Sequence, residues 1–281
     1  MRLDQLTIVG VGLIGGSVGL AVKARGLAGT VVGVGRDERN LARAQAAGTI
    51  DRFSTDIADA VLAADLVVVC TPVDRVADDV IAVAKSAPAR CLITDVGSTK
   101  GNIVRALAGK LPENGAAFIG SHPLAGSEKR GSANAKTDLF ADRLVVVTPT
   151  AETDSEATAV IDLFWRELGA RVIRMDPFAH DEALATTSHL PHAAASALAG
   201  VTPAAWLALT AGGFRDTTRI AAGDPDLWTA IFEANRDAVL SAVDAFTGKM
   251  TEFRTLLAAG DRAGVARWLA EGKRVRDALG S

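Results

Sequence analysis

Tyrosine is absent from this chain, although nine Phe and four Trp are present. Cysteine occurs only at Cys70 and Cys91, each inside an apolar run. Two such thiols in 281 residues exclude a disulfide-built scaffold and point to a reducing compartment. No unbroken apolar run approaches the roughly 18 residues of a membrane span. Residues 7–22, TIVGVGLIGGSVGLAV, come nearest to a secretory leader. Their five glycines, the preceding Asp4 and the lack of a small-x-small cleavage site argue against one, so a cytoplasmic protein is expected. A basic surplus is also missing. Thirty Lys and Arg against 33 Asp and Glu leave a net charge of −3 and a pI near 5.8. With no Lys/Arg run to offset this, neither nucleic acid nor anionic membrane is an expected partner.

What is present is a globular composition, 49% hydrophobic and 22% charged. Up to about residue 175, short β-branched runs alternate with Ala-rich segments. The runs are Thr7–Val9, Val31–Val34, Leu66–Cys70, Cys91–Thr94, Ala117–Ile119, Leu144–Thr148 and Arg171–Arg174. Each is nearly continuously apolar, as a strand buried on both faces must be. Helical segments such as Asn40–Ala47 and Arg75–Ala84 lie between them. This alternation predicts an α/β fold: a Rossmann-like, doubly wound, mostly parallel sheet over 1–175. From 176 to 281 the pattern is all helical. Asp176-Pro177 opens a helix, His180–Ala199 continues it with a kink expected at Pro191, and Asp224-Pro225 opens a helix running some thirty residues to Leu257. A helix that long with an apolar stripe calls for a partner, so a homodimer through the helical domain is expected.

Gly10-Val11-Gly12-Leu13-Ile14-Gly15 follows the first strand and opens a helix. The first glycine permits a tight turn, the second admits a pyrophosphate, and the third packs helix on strand, with the helix N-terminus facing the anion. The motif alone is weak. Its strand–turn–helix setting makes Gly10, Gly12, Leu13, Ile14 and Gly15 candidate cofactor residues. The second strand runs into Gly35-Arg36-Asp37. An acidic residue at its end favours NAD, whereas a small residue followed by Arg accommodates a 2′-phosphate. Gly35-Arg36 therefore favours NADP, the alternative being NAD with Asp37 on the ribose. Thr71-Pro72 falls at another strand end, where open α/β sheets bind ligands.

Two further strand ends carry Asp95–Gly101 (DVGSTKG) and Gly120–Glu128 (GSHPLAGSE). A hydroxyl (Ser98), an ammonium (Lys100) and an imidazole (His122) converging there suit acid–base work on a hydroxyl that loses hydride. In the helical half, Ser188–His192 places His189 and His192 on one helix face, and Gly212–Ala221 carries Arg215 and Arg219, groups suited to a carboxylated substrate. No HExxH or Cys cluster supports a metal.

Together these segments resemble the prephenate/arogenate dehydrogenase family of tyrosine biosynthesis. Six motifs carry the likeness in the family's order: GVGLIGGS (10–17), DVGSTKG (95–101), SHPLAGSEKRG (121–131), SHLPH (188–192), GGFRDTTRIA (212–221) and DPDLW (224–228). The resemblance implies hydride transfer from the substrate ring to NAD(P) with loss of CO₂, giving 4-hydroxyphenylpyruvate or tyrosine. It implies His122 as acceptor of the ring hydroxyl's hydrogen bond, with Ser98 orienting His122 and the nicotinamide. Arg219 would hold a substrate carboxylate with His192 nearby, Glu128 would sit at the cleft and Lys100 would support the site. Net acidity is no obstacle to a dianionic substrate, because a cleft focuses the local field of Arg219, Arg215, Lys129 and Arg130. The missing tyrosine is read as compositional drift in an Ala-rich chain. Two other readings compete: a non-catalytic nicotinamide-dinucleotide sensor, and another Rossmann hydroxyacid or imine dehydrogenase. A sensor would need the glycine turn without Ser98, His122, His192 and Arg219 together, and HPLAGSE and SHLPH argue against the other enzymes.

Overall fold

The computed structural model describes residues 2–112, 116–126 and 131–280. The chain forms two compact units, 1–235 and 236–281. In the first, β1 (Leu3–Val9) leads through Gly10–Gly12 into α1 (Leu13–Arg25), followed by β2 (Ala28–Val34), α2 (Glu38–Ala46), β3 (Arg52–Ser54) and α3 (Ile57–Val61). Then come β4 (Leu66–Val69), α4 (Val76–Ser86), β5 (Leu92–Asp95), α5 (Gly101–Leu107), β6 (Ala117–Pro123), β7 (Leu144–Thr148), α6 (Ser155–Glu167) and β8 (Arg171–Arg174). The eight strands form one sheet in the order β3-β2-β1-β4-β5-β6-β7-β8. All neighbours are parallel except β6 and β7. The doubly wound, mostly parallel sheet expected from the sequence is the one observed.

The apolar runs divide between two cores by the two-residue period of a strand. Leu6, Ile8, Leu66 and Val68 face a core with α1 and α6 that includes Val18, Phe164 and Trp165. Val9, Val67, Val69 and Ile93 face the other, with Val80, Val83, Ile103 and Leu107 of α4 and α5. The order reverses between β1 and β4, the switch point outside whose carboxyl ends doubly wound sheets bind ligands. Gly10, Thr71, the 96–100 loop and His122 all follow or end strands at that edge.

No strand follows β8 among the described residues. The helical run continues with α7 (Pro177–Leu184), a π turn (Ala185–His189), α8 (Leu190–Gly200), α9 (Gly212–Thr218) and α10 (Pro225–Ala234). The first unit thus includes these helices, and compactness divides at 235, not at the change from strands to helices near 175. Pro191 offers no N–H to the preceding turn and crowds its carbonyl. The chain widens just before it, with Leu190 N–H reaching back to Ala185 O. The single helix expected from Asp224 to Leu257 is broken. Asn235 leaves helical geometry (φ −119°, ψ 32°), and its side chain donates to Asp181 O at 2.8 Å. An apolar repeat cannot report such a capture by a polar side chain. In the second unit, α11 (Arg236–Ala258) and α12 (Arg262–Asp277) pair through Phe253 on Trp268 (4.9 Å) and Lys249–Glu271 (2.9 Å).

Helix α1 lies so close to the chain after α2 that a Cβ on Gly19 would sit 2.0 Å from Thr49 O. Gly19→Ala must push α1 away, so a loss of about 1–3 kcal/mol is expected, read as a lower urea midpoint. An unchanged midpoint would contradict this packing.

Candidate active site

The glycine turn has the geometry its spacing predicts. Gly10 has φ +96°, and a Cβ there would meet Cys70 O at 2.8 Å and Thr71 N at 3.0 Å. A Cβ on Gly15 would lie 2.2 Å from Gly10 O. Gly12 caps α1 with no side-chain hydrogen bond, and no atom lies within 4 Å of its Cβ direction. The first-turn N–H groups, Leu13 and Ile14 among them, therefore face open space suited to a pyrophosphate. Thr71 donates its hydroxyl to Asp79 Oδ2 at 2.7 Å, leaving its backbone against Gly10, and Pro72 is exposed beside it. These residues fit a dinucleotide.

Strand β2 ends at Val34, so Gly35 directly follows the strand end, with Leu41 packed 3.3 Å from where its Cβ would be. Asp37 is engaged elsewhere. It caps α2, accepting from Arg39 N at 2.9 Å, Asn40 N at 3.3 Å and Asn40 Nδ2 at 3.0 Å. Arg36 is exposed, and among the described residues no carboxylate forms an ion pair with it.

At the carboxyl ends of β5 and β6 lies a buried polar cluster. Asp95 accepts from Gly97 N (2.8 Å), from Ser121 N (3.1 Å) and from the Lys100 ammonium. Lys100 Nζ also donates to Ser121 O at 2.8 Å. Ser121 Oγ receives Trp165 Nε1–H at 3.0 Å and lies 2.9 Å from Thr94 Oγ1. Four side chains, those of Thr94, Asp95, Lys100 and Trp165, therefore pin the residue just before His122. Lys100, expected among the substrate-binding groups, is 1% exposed. Its ion pair with Asp95 and its bond to Ser121 O tie β5 to β6. Burial pulls its pKa down, and Asp95 opposes the shift.

His122 is in the last turn of strand β6, 9% exposed. The sequence reading gave Ser98 the task of orienting it. The observed ring partner is instead His180, whose Nε2 lies 3.0 Å from His122 Nδ1, the rings meeting edge to face. His180 Nδ1 lies 2.8 Å from Asp181 Oδ1. Asp181 also accepts Lys100 N and Gly101 N, each at 2.8 Å, at the start of α5. Gly101 permits this approach, because a Cβ there would lie 2.8 Å from Phe178 and 3.0 Å from Asp181 Oδ2. Ser98 sits part-exposed in the loop between β5 and α5, without a hydrogen bond to His122. Burial, then the neighbouring His180, Lys100 and His189, hold the His122 pKa well below the usual imidazole value.

The helical strip continues from this cluster. His189, 1% exposed, takes Asn235 Nδ2 on Nδ1 at 3.2 Å. Burial pushes its pKa down to about 4, against a raising influence from Asp181. His192 stacks on Trp228 with ring centroids 3.4 Å apart. Desolvation lowers its pKa, and the charge of Arg219 lowers it further against a backbone hydrogen bond to Ile220. A pocket of about 210 Å³ opens here, lined by His192, Ser196, Ile220, Pro225, Trp228 and Phe232 among others. Arg219 is exposed beside it. Glu128, with Lys129 and Arg130, lies outside the described residues.

Sequence reasoning missed Asp95, His180, Asp181, Trp228 and Asn235. The adjacent His180-Asp181 pair in the first turns of a helix was the available signal: charged side chains at apolar-stripe positions need partners.

Lys100→Met would leave Asp95 charged, buried and short of its cation, a loss of about 3–5 kcal/mol. Asp95→Asn combined with Lys100→Met should recover much of it in urea unfolding. A single variant as stable as the parent would refute this role.

Comparison with known proteins agrees with the geometry. The family profile described as "Prephenate dehydrogenase, nucleotide-binding domain" matches residues 18–174, and "Prephenate dehydrogenase, dimerization domain" matches 176–271. A cyclohexadienyl dehydrogenase of Zymomonas mobilis is 37% identical over 98% of this chain and 96% of its own length. A prephenate dehydrogenase of Bacillus subtilis is 32% identical over 98% of this chain and 76% of its own length. The structure of Aquifex aeolicus prephenate dehydrogenase with hydroxyphenyl propionate and NAD+ superimposes with TM-score 0.90 at 30% identity, covering 99% of each chain. That of Synechocystis arogenate dehydrogenase gives 0.85 at 28% identity, covering 98% of this chain and 99% of the other. With both profiles spanning nearly all of its length, the chain belongs to the prephenate dehydrogenase family.

Proposed function

We propose that this chain oxidatively decarboxylates prephenate or arogenate, and that His122 is the base for the ring hydroxyl. The observation that carries the reading is a buried imidazole at the carboxyl edge of the sheet whose pKa is held well below the usual value. When bound, the oxidised nicotinamide supplies the hydride acceptor. The chain's own groups do the rest. Gly10, Gly12 and Gly15 with the first turn of α1 (Leu13, Ile14) hold the pyrophosphate, and Thr71-Pro72 walls the same edge. His122 draws off the hydroxyl proton. Arg219, with His192 stacked on Trp228, receives a substrate carboxylate. Ser98, part-exposed in the β5–α5 loop, contacts the nicotinamide. Glu128, outside the described residues, is proposed to act on the substrate from the family resemblance alone.

The cofactor assigned is NADP. Gly35 offers the ribose no carboxylate, Asp37 is spent on capping α2, and Arg36 is free for a 2′-phosphate. NAD is the alternative. We place cofactor binding in residues 1–175, and substrate binding with homodimer formation in 176–281. Support for the dimer is the family's own description of that domain, together with exposed Phe246, Met250, Leu257 and Leu269 on α11 and α12. Among the described residues no helix is long and apolar enough to cross a membrane.

The test is turnover of prephenate and L-arogenate, each with NADP and with NAD, followed by nicotinamide absorbance. Turnover preferring NADP is expected. Silence in all four, with cofactor binding intact, would overturn the enzyme reading in favour of a sensor. Arg36→Ala should lower kcat/KM with NADP at least about tenfold, the loss of a charge-assisted phosphate contact, and leave NAD unaffected. Equal effects on both would assign Arg36 another role.

His122→Ala should lower kcat by about 10²–10⁴-fold, the usual worth of a positioned base. The base works only when neutral, and its pKa is depressed. Activity should therefore stay level as pH falls past the ordinary imidazole value near 6.5 and drop only below it. A limb at or above that value would contradict a buried His122 base.

A further inference from the structure

We propose that His180 and Asp181 are positioning residues that fix the tautomer of His122 and share its proton during turnover, an inference that rests on His122 being the base. Three donors converge on the Asp181 carboxylate: Lys100 N, Gly101 N and His180 Nδ1, each at 2.8 Å. A carboxylate only accepts, so His180 Nδ1 carries hydrogen and its Nε2 presents a lone pair. His122 Nδ1 lies 3.0 Å from that lone pair and must itself be an N–H donor. What remains on His122 is Nε2 with its lone pair outward. The backbone amides at the start of α5 thus dictate, through one carboxylate and one ring, which nitrogen of His122 is basic. In the other tautomer two lone pairs would face each other in a buried contact.

The relay is sealed, His180 being 0% exposed and His122 9%. The stoichiometry suits this. The hydroxyl O–H bond breaks, its proton joins His122 Nε2 and its electron pair forms the ring C=O as hydride leaves the same carbon with its bonding pair. The bond to the ring carboxylate then breaks, releasing CO₂. Its pair flows through the ring to the carbonyl oxygen, which takes the proton back as the phenol. No net proton is produced, so the base lends a proton and recovers it without exchange with bulk water. While on loan the proton forms an imidazolium at His122, whose Nδ1–H points at His180 Nε2. Transfer along that bond moves the charge to a ring already bonded to Asp181. The other charged and titratable groups around the pair are Lys100, neutralised by Asp95, and His189, which faces Asn235.

The chain has only four histidines, which makes the test direct. In ¹⁵N-histidine-labelled protein with ring signals assigned by single variants, His122 and His180 are both expected as Nδ1–H tautomers at neutral pH. On acidification the ring signals of both should change together, because the proton belongs to the pair. His122 as the Nε2–H tautomer, or His122 titrating while His180 stays still, would overturn the proposal. In kinetics, His180→Leu should lower kcat about 10²–10⁴-fold, the range seen when a base loses the partner that sets its tautomer, with KM and cofactor affinity unchanged. His180→Leu with parental kcat would overturn the relay. Should that variant fail to fold, the spectra of the parent protein decide alone. His122→Ala separates the two ideas. If it still turns over, the base assignment itself falls. If it is inactive while His180→Leu is fully active, only the relay falls.

Discussion

The carboxylate of Asp181 joins helix α7 to the start of α5 at the carboxyl edge of the sheet. Its oxygens take the first amides of α5, which follow directly from the catalytic edge of the sheet, and the ring of His180. Its own carbonyl takes the Asn235 side chain, which breaks the helical run before the second unit. A helix start has amides without intrahelical partners, and a carboxylate is their natural ligand. Here the cap comes from a residue 81 positions away, so capping the helix also docks α7 on the sheet. The docking sets where His180 stands, and His180 sets which nitrogen of His122 is free.

The surrounding electrostatics share one logic. Charges that must be buried are paired, as Asp95 with Lys100, and groups that must stay neutral are desolvated, as His122 and His189. The pair keeps β5 and β6 in register beside the base, and its cation opposes protonation of His122. The cations of Arg219 and Arg36 are exposed, where water still solvates them.

The sheet was legible because parallel strands covered on both faces need continuous apolar runs, which β1, β4 and β7 supply. β3 was missed because Arg52-Phe53-Ser54 is three residues long with no apolar run. The antiparallel β6–β7 pair was missed because nothing in Ala117–Pro123 records the direction of its neighbour. The glycine turn was legible since Gly10 and Gly15 each answer a local steric demand. His122 was singled out by motif, but the contact of its ring with His180 was not foreseen. The hydrogen bond to His180 spans 58 residues and depends on how α7 docks, which spacing does not encode. Lys100 was read as an ammonium converging with Ser98 and His122 and as a support of the site. Its burial depends on Asp95, a residue that looked like the end of a strand.

The central claim is that His122 presents Nε2 to the reacting hydroxyl while its other nitrogen stays on His180. A crystal structure of the protein with oxidised nicotinamide cofactor and a 4-hydroxyphenyl product analogue tests it most directly. The account predicts the phenolic oxygen within hydrogen-bond reach of His122 Nε2, with the His122–His180–Asp181 chain intact. A phenol held by another side chain, or His122 turned away from His180 in the complex, would contradict it.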